Sequence, residues 1–455
     1  MFESLVAEYL DFELPDLIER NELIAQLPAP AFNNTIYSVT GVRRCGKTFY
    51  LYQLMKRLEK DGVGRDRIFF FPFDEDRIEP LDSSTGQAVL EAYFALVPKA
   101  KEGCYLFFDE IQGLPNWESF IRRVSERTKA TIVITGSSSK LLSTEISTKL
   151  RGRSLSCEMW PLDFREYCLF HDIDTKSRSG AFSADRKTEL RAAFRTYLDT
   201  GGFPAVQDMP ALERTRMLQT YADEIVTRDV LERFGTSSYH VGRRFARTAL
   251  RSTGLKFSVN KQVNALRSAG LSLSNETAYK LLDGLEDAHL IFKVANYSRS
   301  IRDNPKSAYK VYAVDAGLSY AVAPASHLDL GQRLETAVFI ELKRRFGENR
   351  DDVIASYSTP KCPEVDFIVG DIALERSYEL IQVAVESGAQ RPDVAREASK
   401  KYASEVGNLE VAMKQTDLAT STLITLEEED TVHVSSGTVR IVPAWRWFLE
   451  KDGQH

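Results

Sequence analysis

The chain has 455 residues, of which 43% are hydrophobic and 27% charged, and its formal net charge is −6. These values are typical of a globular protein of about two to four domains. No run approaches the roughly eighteen apolar residues that span a membrane. The five cysteines and six histidines show no disulfide or zinc spacing, so a protein of the reducing cytoplasm without a membrane partner is expected.

The net charge conceals a local contrast. Residues 241–310 contain thirteen Lys or Arg and five Asp or Glu, a net charge of +8 that leaves −14 for the remainder. The total charge alone argues against a nucleic-acid protein. A basic segment within an acidic chain nevertheless indicates a local nucleic-acid contact.

The first predicted elements are a helical lead-in over residues 1–34 that ends in the loop Pro28-Ala29-Pro30, a buried strand over Thr35–Thr40 and a helix over Phe49–Lys60. The loop that joins the strand to the helix reads Gly-Val-Arg-Arg-Cys-Gly-Lys-Thr. This is the P-loop arrangement, in which two glycines let consecutive backbone N–H groups face nucleotide phosphates. The predicted nucleotide contacts are Gly41, Val42, Arg43, Arg44, Cys45, Gly46, Lys47, Thr48 and Phe49.

Two residues of the loop carry specific chemistry. The Lys47 ammonium is expected to reach the β- and γ-phosphates of ATP, and the Thr48 hydroxyl is expected to bind Mg²⁺. Cys45 lies beside Lys47 at a helix N-terminus, where the pKa of a thiol can be lowered. It is interpreted either as a redox-sensitive thiol or as a small filler residue.

Two later strands complete the predicted site. The apolar run Cys104–Phe108 ends in Asp109 and Glu110, the pattern of a central parallel strand with acids at its carboxyl end. Asp109 is predicted to hold the Mg²⁺ shell, and Glu110 to orient the attacking water. The next strand ends in Thr135-Gly136-Ser137-Ser138-Ser139, which places small hydroxyls beside the same phosphate. Of these, Ser137 is predicted to sense the γ-phosphate; an ordinary turn is the alternative.

Two arginines follow the hydroxyl cluster. Arg151 and Arg153 are predicted to lie beyond the nucleotide edge of the sheet, where either one could stabilise charge on its own nucleotide or on that of a neighbouring subunit. Arg153 is preferred, and a solvated side chain is the alternative for each. The alternating pattern up to residue 160 predicts a doubly wound parallel sheet.

The middle of the chain changes character. Residues 161–240 predict a helical lid, and residues 241–325 predict a winged helix with helices over Val259–Leu266 and Asn275–Ala288. Such modules bind DNA, although they also serve as protein-interaction domains. The predicted DNA contacts are Arg243, Arg244, Lys261, Arg267, Asn275 and Lys280.

The last segment, residues 326–455, has the order of a restriction-endonuclease-like core: a helix acid, a strand aspartate at Asp366 and a later strand motif. Nuclease chemistry there needs two acids on Mg²⁺ and a lysine beside the attacking water. Gln382 and Ala384 stand where the second acid and the lysine would be. The sequence therefore predicts a disarmed nuclease site.

Eight short motifs are shared with one family. They are Gly-Val-Arg-Arg-Cys-Gly-Lys-Thr at 41–48, Phe-Asp-Glu at 108–110, Thr-Gly-Ser-Ser at 135–138, Leu-Arg-Gly-Arg at 150–153, Pro-Leu-Asp-Phe-Arg-Glu-Tyr at 161–167, Gly-Gly-Phe-Pro at 201–204, Val-Asp-Ala-Gly-Leu at 314–318 and Glu-Val-Asp-Phe at 364–367. Together they resemble a bacterial and archaeal family of AAA+ ATPases of unassigned role. The resemblance implies an α/β P-loop domain with a helical lid, then a winged helix and an α/β restriction-endonuclease-like domain. It also implies ATP binding and a ring-like homo-oligomer, such as a hexamer.

Three functions are compatible with these features. The first is an ATPase that acts on DNA as a motor or remodelling factor, with ATP and Mg²⁺ as its cofactors. The second is a nucleotide-controlled regulatory or scaffold ATPase that acts through protein partners. The third is an active DNA nuclease, which the substitutions at Gln382 and Ala384 oppose.

Overall fold

The chain consists of two compact units. The first is Met1–Trp160 with Asp287–His289, and the second is Pro161–Glu286 with Leu290–His455. The boundaries predicted at residues 240 and 325 fall inside the second unit and stay predictions. The computed structural model describes residues 2–136, 150, 152–177, 182–232, 239–297, 309–323, 330–346, 354–360, 362–371, 376–385 and 402–450.

The first unit alternates strands with helices. Its helices are α1 (Phe2–Asp11), α2 (Lys47–Lys60), α3 (Thr85–Leu96) and α4 (Trp117–Arg127). Its strands are β1 (Ile36–Thr40), β2 (Ile68–Pro72), β3 (Cys104–Asp109), β4 (Ala130–Thr135) and β5 (Ser154–Glu158).

The five strands form one parallel sheet in the order β2-β3-β4-β1-β5. Every residue of β3 and β4 is buried, because helices cover both faces of a parallel sheet. The predicted doubly wound α/β sheet is confirmed. In this order β4 lies between β1 and β3, so the carboxyl ends of these three strands are neighbours.

The lead-in is helical only over α1, so the prediction that helical structure continues from residue 12 to the loop at Pro28 is wrong. This segment instead runs beside α2, whose side chains satisfy its backbone. Gln53 accepts from the Arg20 N–H at 2.8 Å and donates to the Arg20 carbonyl at 3.0 Å. The Tyr50 hydroxyl accepts the N–H of Ile24 at 2.8 Å. A pattern of apolar residues cannot reveal hydrogen bonds to a distant helix.

The second unit contains the other helices and strands that the structure describes. The helices are α5 (Phe164–Phe170), α6 (Ala184–Thr200), α7 (Ala211–Glu224), which a π-helical segment (Ile225–Leu231) continues, α8 (Tyr239–Arg251), α9 (Val259–Ser268), α10 (Asn275–Asp287), α11 (Ala316–Val322), α12 (Leu330–Phe346), α13 (Ala403–Thr416) and α14 (Ala444–Leu449). The strands are β6 (Leu255–Phe257), β7 (Ile291–Val294), β8 (Tyr309–Ala313), β9 (Ile354–Thr359), β10 (Cys362–Asp371), β11 (Arg376–Val383), β12 (Thr420–Thr425), β13 (Asp430–Val434) and β14 (Gly437–Pro443).

Two sheets organise this unit. Strands β6, β8 and β7 form an antiparallel sheet in that order. A six-stranded sheet has the order β13-β14-β12-β11-β10-β9, with β11, β12 and β14 running parallel to one another. Within the described ranges, no helix combines the length and the apolar character needed to cross a bilayer.

A buried aspartate joins two of the sequence motifs in this unit. Asp315 caps α11 by accepting the N–H of Leu318 at 2.7 Å, and its other oxygen accepts the N–H of Gly202 at 2.7 Å. Burial raises the pKa of Asp315 to about 6. At Gly317 a Cβ atom would lie 2.4 Å from the backbone nitrogen of Gly201. The Gly-Gly turn therefore packs directly against the backbone of α11.

We expect Gly317→Ala to lower the thermal unfolding midpoint, because backbone atoms cannot move aside for the new methyl group. The loss should be about 1–3 kcal/mol. Gly407→Ala is the matched control, since Gly407 also lies in a helix and a Cβ atom at that position would have no neighbour within 4 Å. The control should leave the midpoint unchanged or raise it. Equal midpoints for the two variants would contradict the packing described.

Candidate nucleotide site

The P-loop leaves the carboxyl end of β1 and closes on the segment that follows β5. Gly41 has φ +147° and Gly46 has φ +106°, values that favour glycine. A Cβ atom at Gly41 would lie 2.1 Å from the carbonyl oxygen of Met159. Because this neighbour is backbone, only glycine fits at position 41.

The Lys47 side chain folds back over the loop and is only 4% exposed. Its Nζ donates to the carbonyls of Gly41 at 3.0 Å and Val42 at 3.2 Å. The ammonium therefore lies inside the curve of the loop, beside the first residues of α2. Backbone N–H groups and the positive end of the helix dipole face the same space, which favours an anion there.

Asp109 connects two strands and the P-loop. Its Oδ2 accepts the Thr48 hydroxyl at 2.7 Å, and its Oδ1 accepts the hydroxyl of Thr135 at the end of β4. Burial raises the pKa of Asp109 to about 6, and Glu110 adds to this effect, while the two hydroxyls and Lys47 act in the opposite direction. The pair Thr48 and Asp109 is an oxygen donor set that suits Mg²⁺.

Glu110 follows β3 with φ +47°, a left-handed conformation that is uncommon for glutamate. Its backbone N–H donates to the Thr135 hydroxyl at 3.0 Å. Its carboxylate accepts a hydrogen bond from the side-chain amide of Gln112. The turn thus holds the Glu110 carboxylate beside the end of β3, next to Asp109.

Thr135 is the member of the hydroxyl cluster that contacts both acids, whereas the sequence analysis preferred Ser137. The prediction chose Ser137, which lies outside the described residues. Thr135 is buried, and it bonds to both Asp109 and Glu110. Its position directly after the apolar residues Ile132–Ile134 was the signal in the sequence, because the strand order brings the end of β4 between β1 and β3.

The other predicted loop residues differ in exposure. Arg43 is half-buried, Arg44 is exposed with φ +70°, and the Phe49 ring is exposed and packs against that of Tyr52. Cys45 is fully buried, and its Sγ donates to a backbone carbonyl at 3.4 Å. Burial raises the pKa of the Cys45 thiol, which favours the filler interpretation over the redox-sensitive one.

Arg153 lies at the amino ends of strands β1 and β5, whereas the P-loop follows the carboxyl end of β1. It precedes β5, which runs parallel to β1 with Ile36 beside Ser154, and its guanidinium donates to Asn33 at 2.5 Å. The length of β1, roughly 15 Å, separates it from the loop. The expected position beyond the nucleotide edge is therefore wrong, and Arg153 cannot serve its own nucleotide. Arg151 lies outside the described residues.

The predicted DNA contacts lie on α8, α9 and α10. Five of them are exposed: Arg244, Lys261, Arg267, Asn275 and Lys280. Of these, Lys280 also forms an ion pair with Glu276 at 2.7 Å. Arg243 differs, because it forms an ion pair with Asp223 at 2.6 Å.

Part of the local positive charge is neutralised by acids outside residues 241–310. Besides Arg243, Arg247 pairs with Asp223 at 2.7 Å. Lys256 and Lys310 pair with Glu364, each at 2.7 Å. The count of +8 therefore overstates the charge that this surface offers to a ligand.

The two residues predicted to disarm the nuclease motif lie at the end of β11 and directly after it. The Gln382 side-chain oxygen accepts the N–H of Asp366 at 3.2 Å, and Ala384 is buried. Neither side chain is an acid or a base, so neither supplies the chemistry that a nuclease needs at these positions.

Comparison with known proteins gives family matches over two parts of the chain. Residues 33–168 match the model of an AAA domain, and residues 191–329 match a domain of unknown function (DUF8612). The uncharacterized protein MJ1544 of Methanocaldococcus jannaschii is 31% identical over 457 residues, covering 99% of this chain and 95% of its own. An uncharacterized protein of Haemophilus influenzae is 29% identical, covering 72% and 79% respectively.

Solved structures are similar at lower identity. The Walker-type ATPase PABY2304 of Pyrococcus abyssi is 13% identical with a TM-score of 0.41, and covers 64% of this chain and 91% of its own. The ORC1 protein of Aeropyrum pernix in complex with DNA is 14% identical with a TM-score of 0.29, and covers 71% and 91%.

In nucleotide-free protein, Asp109→Asn should raise the free energy of unfolding at pH 8 by about 1–3 kcal/mol. The folded pKa, about 6, lies above the ordinary value of 3.8. Ionisation of Asp109 therefore lowers the free energy of unfolding as the pH rises from 3.8 to about 6, and the full loss is reached above pH 6. Urea unfolding should show a smaller gain at pH 5 than at pH 8.

Asp82→Asn is the control for this measurement. Asp82 is exposed, and hydrogen bonds from Ser84 lower its pKa, so its amide variant should show no gain at pH 8. A loss of stability in Asp109→Asn at pH 8 would mean that the threonine hydroxyls stabilise the carboxylate more than burial opposes it.

Proposed function

Because the chain belongs to the family of the M. jannaschii protein MJ1544 and has an AAA-type P-loop ATPase fold, we propose that it binds ATP with Mg²⁺ and hydrolyses it. The observation that carries this proposal is the 2.7 Å contact between Thr48 of the P-loop and Asp109 at the end of β3. It joins two oxygen groups from distant sequence motifs that are predicted to bind the metal, with Lys47 and Glu110 nearby.

Phosphate binding follows from the loop. The triphosphate would face the backbone N–H groups of the P-loop and the N-terminus of α2. Lys47 Nζ would exchange its hydrogen bonds to the carbonyls of Gly41 and Val42 for bonds to phosphate oxygens. The exchange keeps the ammonium paired in both states, so little desolvation opposes binding.

Thr48 and Asp109 would hold Mg²⁺, which neutralises charge on the phosphates when bound. Thr135 orients Asp109 by donating to the oxygen that Thr48 does not use. The same hydroxyl accepts the N–H of Glu110. Thr135 is therefore a positioning residue for both acids.

Glu110 would orient the attacking water. Its carboxylate lies one residue beyond Asp109 and is held by the Gln112 amide. A carboxylate in this place can accept a proton from water as the oxygen approaches the γ-phosphate. Within the part of the chain that the structure describes, Gln112 is the side chain that donates a hydrogen bond to this carboxylate.

Lys47→Ala should lower ATP affinity at least tenfold, because it removes the cation that meets the phosphates. Glu110→Gln should bind ATP like the wild type and lose at least a hundredfold in hydrolysis. Nucleotide binding by fluorescence and phosphate release at steady state measure the two effects. Lys60→Ala, an exposed lysine at the other end of α2, is the control and should change neither. Full hydrolysis by Glu110→Gln would exclude Glu110 as the water-orienting group.

We also propose that the protein acts as a homo-oligomer on DNA. The order α8-β6-α9-α10-β7-β8 and the sheet order β6-β8-β7 support a winged helix over residues 241–325. The position of Arg153, away from its own P-loop, supports a contact with the nucleotide of a neighbouring subunit. Exposed Lys261 and Arg267 on α9 would meet DNA phosphates.

The double variant Lys261→Glu with Arg267→Glu should weaken DNA binding at least tenfold and flatten its dependence on salt, because fewer counterions are released. Fluorescence anisotropy at several salt concentrations, with single-stranded, duplex and branched DNA, measures this. The charge-matched control is Lys60→Glu with Lys99→Glu, two exposed lysines of the first unit.

Equal affinity in the two double variants would remove α9 from the interface. ATP hydrolysis that no DNA form stimulates would favour the regulatory ATPase that acts through protein partners. In that case the surface of α9 and α10 would be the first place to search for the partner.

A further inference from the structure

The restriction-endonuclease-like resemblance implies a divalent metal ion on the acids of the C-terminal sheet, and the residues present do not fit one. Three carboxylates converge there, from Glu335 on α12 and from Glu364 and Asp366 on β10. We refer to these three residues as the acid cluster. A lysine ammonium already lies at its centre, so the acids are not free to bind a metal.

The lysine is Lys310, which reaches the acid cluster from β8 of the three-stranded sheet. Its Nζ lies 2.7 Å from Glu364 Oε1, 2.8 Å from Glu335 Oε1 and 3.0 Å from Asp366 Oδ1. The Lys310 side chain is only 6% exposed. An ammonium has three protons, and each has one carboxylate partner here, so the coordination of this cation is complete.

Two of the acids also use the oxygen that does not face Lys310. Asp366 Oδ2 accepts the N–H of Val383 at 3.0 Å. Glu364 Oε2 pairs with Lys256 at 2.7 Å, and Lys256 stands opposite Lys310 in the β6–β8 register. Glu335 differs, because the Tyr312 hydroxyl donates at 2.7 Å to Oε1, the same oxygen that Lys310 contacts. These contacts orient the carboxylates toward Lys310.

The charges favour a protonated lysine. Burial lowers the pKa of Lys310, but attraction to Asp366 and Glu335 outweighs it and raises the pKa above its ordinary value. Burial and the nearby Asp366 raise the pKa of Glu335, and the charge of Lys310 reduces this rise. The three acids share two ammonium groups, Lys310 and Lys256, so removal of Lys310 would leave Lys256 alone to compensate them.

We infer that Lys310 is the built-in cation of the acid cluster, in the place that a divalent metal ion has in restriction-endonuclease-like sites. The acid cluster therefore joins β8, β10 and α12 without a metal and does not cut DNA. Gln382 agrees with this role, because it binds the backbone of Asp366 and adds no fourth negative charge. In this fold the lysine stabilises the structure instead of activating water.

The test compares full-length, nucleotide-free proteins that all carry Asp109→Asn, so that the P-loop does not bind added metal. Lys310→Met should lower the thermal unfolding midpoint in EDTA by about 5–10 °C. Mn²⁺ is then added at roughly 1 mM, a concentration close to the dissociation constant expected for a weak carboxylate site. It should restore part of the lost midpoint. The parent protein should have the same midpoint in Mn²⁺ and in EDTA.

Lys293→Met is the matched control, because Lys293 lies on the neighbouring strand β7 and pairs with Asp283 and Glu286, each at 2.7 Å. Asp283 is largely exposed, so we expect a smaller loss and no recovery with Mn²⁺. A loss in Lys310→Met that Mn²⁺ does not reverse would overturn the proposal, because the acids would then not form a cation site.

A second measurement does not depend on the folding of Lys310→Met. Electron paramagnetic resonance counts Mn²⁺ bound to the parent protein and to the same protein with Asp366→Asn. Equal binding in the two proteins supports the proposal. Binding by the parent that Asp366→Asn abolishes, or DNA cleavage in Mg²⁺ that the same substitution abolishes, would refute it.

Discussion

The nucleotide site depends on one close contact, between Gly41 and the carbonyl of Met159. The loop can approach the segment after β5 only because residue 41 has no side chain. The same carbonyl accepts the Cys45 thiol, and Arg20 donates to the carbonyls of Cys45 and Trp160, each at 2.8 Å. The P-loop is thus held from the outside by the Met159 backbone and the Arg20 side chain, and its inner surface faces the predicted anion.

The sequence predicted the parts of this site that a strand end determines. The carboxyl ends of neighbouring parallel strands lie side by side. A P-loop that follows one strand and two acids that end another are therefore expected to be close in space. The prediction was weaker where the direction of a side chain decides which residue contacts the site. Thr135 and Ser137 are equally small and polar, and only the strand order shows that Thr135 faces Asp109 and Glu110.

Two other residues show the limits of pattern. Arg153 lies at the amino end of β5, opposite to the strand ends that carry the P-loop. The sequence cannot show this position, because it depends on the parallel pairing of β5 with β1. Lys310 was counted as part of a basic surface, yet it is buried among acids that follow it by 25 to 56 residues. Charge counted along a chain cannot separate a solvated lysine from one that neutralises a core, because the partners are distant in sequence.

The backbone at Glu110 has an evolutionary consequence. A left-handed conformation costs a residue with a Cβ roughly 1 kcal/mol, and glycine or asparagine adopts it more easily. Neither has a carboxylate. In a library selected for heat resistance alone, position 110 should therefore drift toward glycine or asparagine, whereas selection for turnover should retain glutamate. The residues recovered at this one position would show whether a lineage had been maintained by its chemistry or only by its fold.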